Sequence, residues 1–136
     1  MTERTLPPLR DLEPAPKRRG FRIAPPGWSG LADAESPAFA IDAAALWRAW
    51  IAFAARQPRT VLRARDERAR RSLHLQRSAV LRFPDLVRGE IVALEAGRSG
   101  LILDSRARFG FWDLGVNRRR VLRWVHDLQQ AMARDS

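Results

Sequence analysis

Between residues 60 and 109 the chain reads as four extended runs in succession, "TVLRARDE", "SLHLQRSAVLRF", "LVRGEIVAL" and "GLILDSRARF", with only a few residues between neighbours. A parallel pair needs a crossover of roughly a dozen residues or more, which these gaps cannot hold. The four runs therefore predict antiparallel strands joined by short turns, at residues 66–71, at Pro84–Asp85 and across the glycines of "EAGRSG". In the second run Leu73, Leu75, Ala79, Leu81 and Phe83 alternate onto one face, together with Arg77, while His74 falls on the other. That alternation predicts a core-facing Arg77 and an outward His74.

Helical periodicity flanks the strands. Asp42 offers a cap ahead of "AAALWRAWIAFAARQ", in which Leu46, Trp47, Trp50, Ile51, Phe53 and Ala54 form a broad apolar face that Pro58 ends. Val121, Trp124, Val125, Leu128 and Met132 recur at three- and four-residue steps, predicting a helix over 117–133. "PAFAI" is a short strand candidate before the first helix. The expected fold is α+β: a two-layer sandwich with a four- to five-stranded antiparallel sheet and two helices on one face. Its element order is β-α-β-β-β-β-α.

Seven of the nine prolines lie in residues 1–37, and "LPPLRDLEPAPKRRG" has no sustained period. This stretch is expected to be an extended or disordered arm, with Ile23 and Trp28 docking as hydrophobic anchors. Residues 38–134 are expected to form a single α+β domain.

The absence of cysteine removes disulfides and thiolate metal sites, and His74 and His126 have no ligand-like spacing, so no metal or cofactor is expected. The net charge of +10 is compatible with a polyanion partner, yet Lys17 is the sole lysine among 25 basic residues. Such a skew also arises from GC-rich codon usage, so charge alone does not favour nucleic acid. No run approaches the roughly 20 apolar residues that span a bilayer, and the start lacks an apolar signal core; a cytoplasmic location is expected.

The stretches "LQRSAVLRFPD", "DSRARFG" and "WDLGVNRRRVLRW" together resemble a bacterial family known as domain of unknown function 1499, over roughly residues 38–132. The matching positions are Arg77, Ser78, Arg82, Phe83, Pro84 and Asp85, then Ser105, Arg108, Gly110, Asp113, Gly115, Asn117, Arg118 and Arg120. Asp104, Ala107 and Trp112 depart from the family's usual pattern, and would make a polar pocket along that strand smaller or more apolar. The resemblance implies no activity.

"FWDLGVNRRR" puts three arginines in the first turn of a helix, where the backbone dipole favours acids. Asp113 and Asn117 suit capping and Gly115 permits a tight turn. Arg77 is expected to pair with Asp85 or Asp113, and Arg118 and Arg120 to reach back to Asp113, Asp104 or Asp85, fixing the helix on the sheet. Alternatively, the free amides with Arg106, Arg108, Arg118 and Arg120 capture an anion. The candidate polar network is thus Arg77, Arg82, Asp85, Ser105, Arg106, Arg108, Asp113, Asn117, Arg118 and Arg120. Both readings stay open at this level. The expected role is a non-enzymatic binding or accessory module for an anionic small molecule or a protein partner. Nucleic-acid or polyanion binding through exposed arginines is the alternative, and an enzyme of unknown class the second, although Ser78, Ser105, His74 and His126 form no evident catalytic set.

Overall fold

The computed structural model describes residues 2–28, 32–110 and 112–135, so residues 29–31 of the expected arm and Phe111 of the arginine motif lie outside the described residues. The helical expectations hold closely: α1 spans Ala43–Ala55 and α2 spans Val116–Asp135. The Asp42 carboxylate caps α1 by accepting from the Ala45 amide at 2.8 Å.

The four strands read from the alternating runs are β5 (Thr60–Asp66), β6 (Arg71–Arg77), β7 (Pro84–Ala93) and β8 (Ser99–Ala107), joined in antiparallel sequence. The sheet is larger and more mixed than expected. Residues 2–39 add β1 (Thr2–Glu3), β2 (Gly20–Ala24), β3 (Ala34–Glu35) and β4 (Ala38–Phe39), giving the order β1-β5-β6-β7-β8-β2-β3, with β4 paired to β8. The β1–β5 and β2–β3 pairs are parallel. Both edge strands are only two residues long, so β1 covers β5 only at Ala64 and Arg65.

The proline-rich segment expected as an extended or disordered arm is, over residues 2–28, packed on the sheet. Its β2 pairs antiparallel with β8, and Leu6 and Leu9 are buried. The Leu6 amide donates to Asp66 at 2.9 Å, a bond that holds the Asp66 carboxyl below its ordinary pKa. The Leu9 amide donates to Glu90 at 2.8 Å. Proline removes donors and fixes φ, but carboxylates projecting from the sheet take up amides that remain, so residues 6–12, between β1 and β2, bind without a strand ladder.

Two cores result, one on each face of the sheet. On the first, α1 and α2 bury Leu46, Trp50, Phe53, Val121, Trp124 and Leu128 against Val87, Ile91, Leu101 and Leu103. Trp50 is its centre: its ring lies 5.9 Å from Trp124 and its indole N–H donates to Ser72 at 2.8 Å. Gly89 makes room for that ring, since a Cβ there would stand 2.6 Å from it. On the second face Leu9, Ala24 and Ile102 form a smaller cluster with Leu12 and Trp28. Because both faces of β8 are covered, "SGLILDS" is buried residue after residue rather than alternately.

The alternation of β6 is the reverse of the reading from its leucines. Ser72, His74 and Gln76 face the helices, where Trp50 and Arg120 meet them, while Leu73 borders a cavity on the opposite face. β6 also stops at Arg77. Residues 78–83 form a turn closed by the Ser78 amide donating to the Phe83 carbonyl at 3.0 Å, so Val80, Leu81 and Phe83 are exposed rather than core.

Candidate functional site

The junction between β8 and α2 contains two successive residues of positive φ, Leu114 at 55° and Gly115 at 79°. They reverse the chain so that Asp113 caps the first turn of α2. Its Oδ1 accepts from the Gly115 amide at 2.8 Å, and its Oδ2 accepts from the Asn117 amide at 3.3 Å and the Asn117 side chain at 2.8 Å. Asp113 thus occupies the place where an external anion would meet the helix start.

Asn117 and Arg120 then turn inward beneath the helix. Asn117 Oδ1 accepts from Ser105 Oγ at 2.6 Å and from Arg120 Nη1 at 2.7 Å. Arg120 also donates to Asp85 at 2.9 Å, to Ser105 Oγ at 3.1 Å and, through Nε, to Gln76. Burial pushes the Asp85 carboxyl upward in pKa and pulls Arg120 downward, while their mutual attraction opposes both shifts. Five of the ten sequence-derived candidates therefore meet in one network: Asp85, Ser105, Asp113, Asn117 and Arg120. Its donors and acceptors are directed at one another. This geometry clamps α2 onto the ends of β6, β7 and β8.

The other five lie elsewhere. Arg77 does not enter the core or pair with Asp85 or Asp113; its Nη1 donates to the Arg82 carbonyl at 3.1 Å in an exposed turn. Arg82 occupies that turn at φ 62°. Arg108 lies over Phe109 at 5.4 Å and Arg118 over Phe21 at 5.5 Å, both exposed. Arg106 is on the opposite sheet face, where it donates to Asp104 at 2.9 Å. Asp104 consequently never reaches α2. It is buried beside Arg22, whose Nε donates to it at 2.8 Å.

Gln76, Arg22, Arg88 and His74 matter structurally but fall outside the sequence-derived site residues. Gln76 is legible in principle, since it stands across the ladder from Asp85. Arg22 interrupts the apolar run "GFRIA", a mark of a buried charge in a strand. His74 is 2 % exposed against the edge of Trp50, its Nδ1 has no partner among the described residues, and burial pulls its pKa down to about 4. It is neutral at pH 7 rather than a surface histidine; His126 is exposed.

A second feature lies outside this network. The 78–83 turn and the β8–α2 loop leave the same end of the sheet, tied by the Arg108 amide donating to the Pro84 carbonyl at 3.2 Å. Their tips carry exposed apolar side chains: Val80 is 86 % exposed, Trp112 67 %, Leu81 66 %, Phe109 65 % and Leu114 63 %. Val116 and Leu122 continue the patch along α2, bordering an open hollow with Arg119 and Arg123. Arg82 and Arg108 on these turns, and Arg118, Arg119 and Arg123 on the first turns of α2, are exposed as well. The carboxylates nearby are occupied: Asp33 accepts from the Arg22 amide, Asp85 from Arg120, and Asp113 from Gly115 and Asn117.

No family model matches this chain, and neither curated proteins nor solved structures give a significant match.

Proposed function

We propose that this protein is a non-enzymatic binding module that docks the loop end of its sheet on an anionic lipid surface. The observation that carries the reading is the concentration of exposed valine, leucine, phenylalanine and tryptophan on two adjacent turns, with exposed arginines on the same turns and on the start of α2 and nearby carboxylates already engaged. Exposed apolar patches of this kind mark interaction surfaces. Side chains projecting singly from turn tips suit insertion among headgroups, with tryptophan at the boundary and arginines on lipid phosphates. Among the described residues no helix is long and apolar enough to cross a membrane, so contact is from one side. A cytoplasmic location would present this end to an anionic inner leaflet.

Nucleic acid fits the same patch less well. Valine and leucine offer no face on which a base stacks, and they make up much of the exposed tips. The resemblance of residues 38–132 to the domain of unknown function 1499 family is part of this proposal and adds no activity to it.

The test is sedimentation with phosphatidylcholine vesicles, with and without phosphatidylglycerol. Binding is expected only to the anionic vesicles. The double variant Leu81→Ser with Trp112→Ser is expected to weaken it by more than about tenfold, from the apolar area no longer buried. Equal binding of that variant would sink the reading. So would single-stranded DNA bound as tightly by the variant as by the wild type, which would point to arginine–polyanion contact alone.

A further inference from the structure

We infer that the proline-rich segment and the second sheet face enclose a binding site for a small organic carboxylate with an apolar body. The site is independent of the docking surface, which lies at the end of the sheet. A charge imbalance beneath residues 2–28 points to it. Arg22, Asp104 and Arg88 stand side by side across β2, β8 and β7, with Arg106 two residues along. One carboxylate serves three guanidinium groups.

Arg22 and Arg106 find their partners within the fold. Arg22 donates to Asp104 at 2.8 Å and to the Leu12 carbonyl at 2.9 Å. Arg106 donates to both Asp104 oxygens at 2.9 Å and to the Glu13 carbonyl at 2.9 Å. Arg71, one strand further on, lies 3.2 Å from Glu90 and donates to the Leu6 carbonyl at 2.7 Å. Arg88 is different. Its Nη1 is buried with no hydrogen-bond partner among the described residues. Asp104 attracts it, but the oxygens of Asp104 are already shared by Arg22 and Arg106. A guanidinium nitrogen withdrawn from water without an acceptor is costly, and a protein with arginine in that place gains from an anion beside it.

Space for that anion adjoins the same residue. Arg88 forms one wall of a cavity of about 260 Å³, whose other walls include Arg4, Arg71, Leu6, Leu9, Leu12 and Leu73. Apolar walls with a small number of fixed polar groups are the usual make-up of a small-molecule site, and this volume falls just below the roughly 300–1,000 Å³ of drug-sized pockets. The ligand class follows from the lining. A carboxylate would take the fork of Arg88 in bidentate fashion, and a compact ring or short chain would lie on the leucines and prolines. The segment over the cavity is held to the sheet by the Leu6 and Leu9 amides on Asp66 and Glu90, by the Leu6 and Leu12 carbonyls on Arg71 and Arg22, and by the short β1–β5 pairing.

The experiment uses the full chain with benzoate, its neutral isostere benzamide, and chloride at matched ionic strength. Methyl NMR is expected to show benzoate shifting Leu6, Leu9 and Leu73, with benzamide at least about tenfold weaker from loss of the charged contact. Arg88→Met, which removes the charge and keeps the stem, is expected to abolish the response to benzoate without lowering the melting temperature. Arg88→Lys, a second variant that keeps the charge but not the fork, is expected to retain a weakened response. Leu81→Ser with Trp112→Ser, at the docking surface, is expected to leave it intact. The inference is overturned if benzoate shifts none of those methyls, if benzamide or chloride shifts them as strongly, or if Arg88→Met or the Leu81/Trp112 variant gives the opposite result.

Discussion

Two arginines, one on each face of the sheet, behave in opposite ways. Arg120, on the helix face, donates to Asp85, Asn117, Ser105 and Gln76. Arg88, on the face covered by residues 2–28, has a buried nitrogen with no acceptor among the described residues and a cavity at its side. The contrast separates a structural charge from one kept for a ligand. A network whose donors and acceptors meet one another fixes geometry and leaves nothing for an outside group. A guanidinium with a buried nitrogen left without an acceptor, on the wall of a cavity, does not.

The strongest test of this contrast is to break the Arg120 network from its acid side. Asp85→Ala leaves Arg120 buried without its counter-charge and is expected to cost about 3–5 kcal/mol in urea denaturation. Asp85→Leu combined with Arg120→Met should recover most of that loss, since an apolar pair of similar volume commonly replaces a buried ion pair. A cost under about 1 kcal/mol for Asp85→Ala would place Arg120 in the same class as Arg88.

A second test asks how dry the helix face is. His74 has a folded-state pKa of about 4, lowered from 6.5 by burial beside Trp50. Above pH 6.5 both folded and unfolded states hold it neutral, and it adds no pH dependence. Below that value the unfolded state gains a proton that the folded state refuses, so stability falls between pH 6.5 and about 4. The expected loss is roughly 3 kcal/mol over that window. His74→Leu should flatten this part of the profile, and an unchanged slope would mean the acid sensitivity comes from other groups.

Packing gives a third, smaller test. Gly89→Ala would bring a methyl within 2.6 Å of the Trp50 ring, which Ser72 holds in place by hydrogen bond. Overpacking there is expected to cost about 1–3 kcal/mol by thermal denaturation. The face with the cavity has slack that the helix face lacks, and a neutral result would remove that distinction. Least of all should come from the exposed pair at the start of α2. Arg118→Ala with Arg123→Ala is expected to change stability by less than about 0.5 kcal/mol. A larger loss would show that the outward arginines belong to the fold after all.

Much of the helix face is legible because its signals are local. The spacing of Trp50, Val121, Trp124 and Leu128 places them on apolar stripes whatever surrounds them, and Asp42 and Asp113 cap the turns in which they stand. The meeting of Asp85, Ser105, Asn117 and Arg120 is readable as a short list of polar residues at element ends. Alternation misplaces Arg77 because its strand carries leucines on one face and Ser72, His74 and Gln76 on the other, and leucines are ordinarily the inward set. Here both faces are covered, so alternation no longer names the core side.

The two helices, the four consecutive strands and the capped arginine turn are written in the sequence, since each depends on neighbours within a few residues. Three other outcomes arise only in the folded chain: residues 2–28 cover the second face, β2 delivers Arg22 to Asp104, and Arg88 is left without an acceptor. They depend on contacts between segments as far apart as Leu9 and Glu90. A proline-rich stretch has no period to announce such contacts. Only the unpaired groups on the sheet it covers determine where it rests.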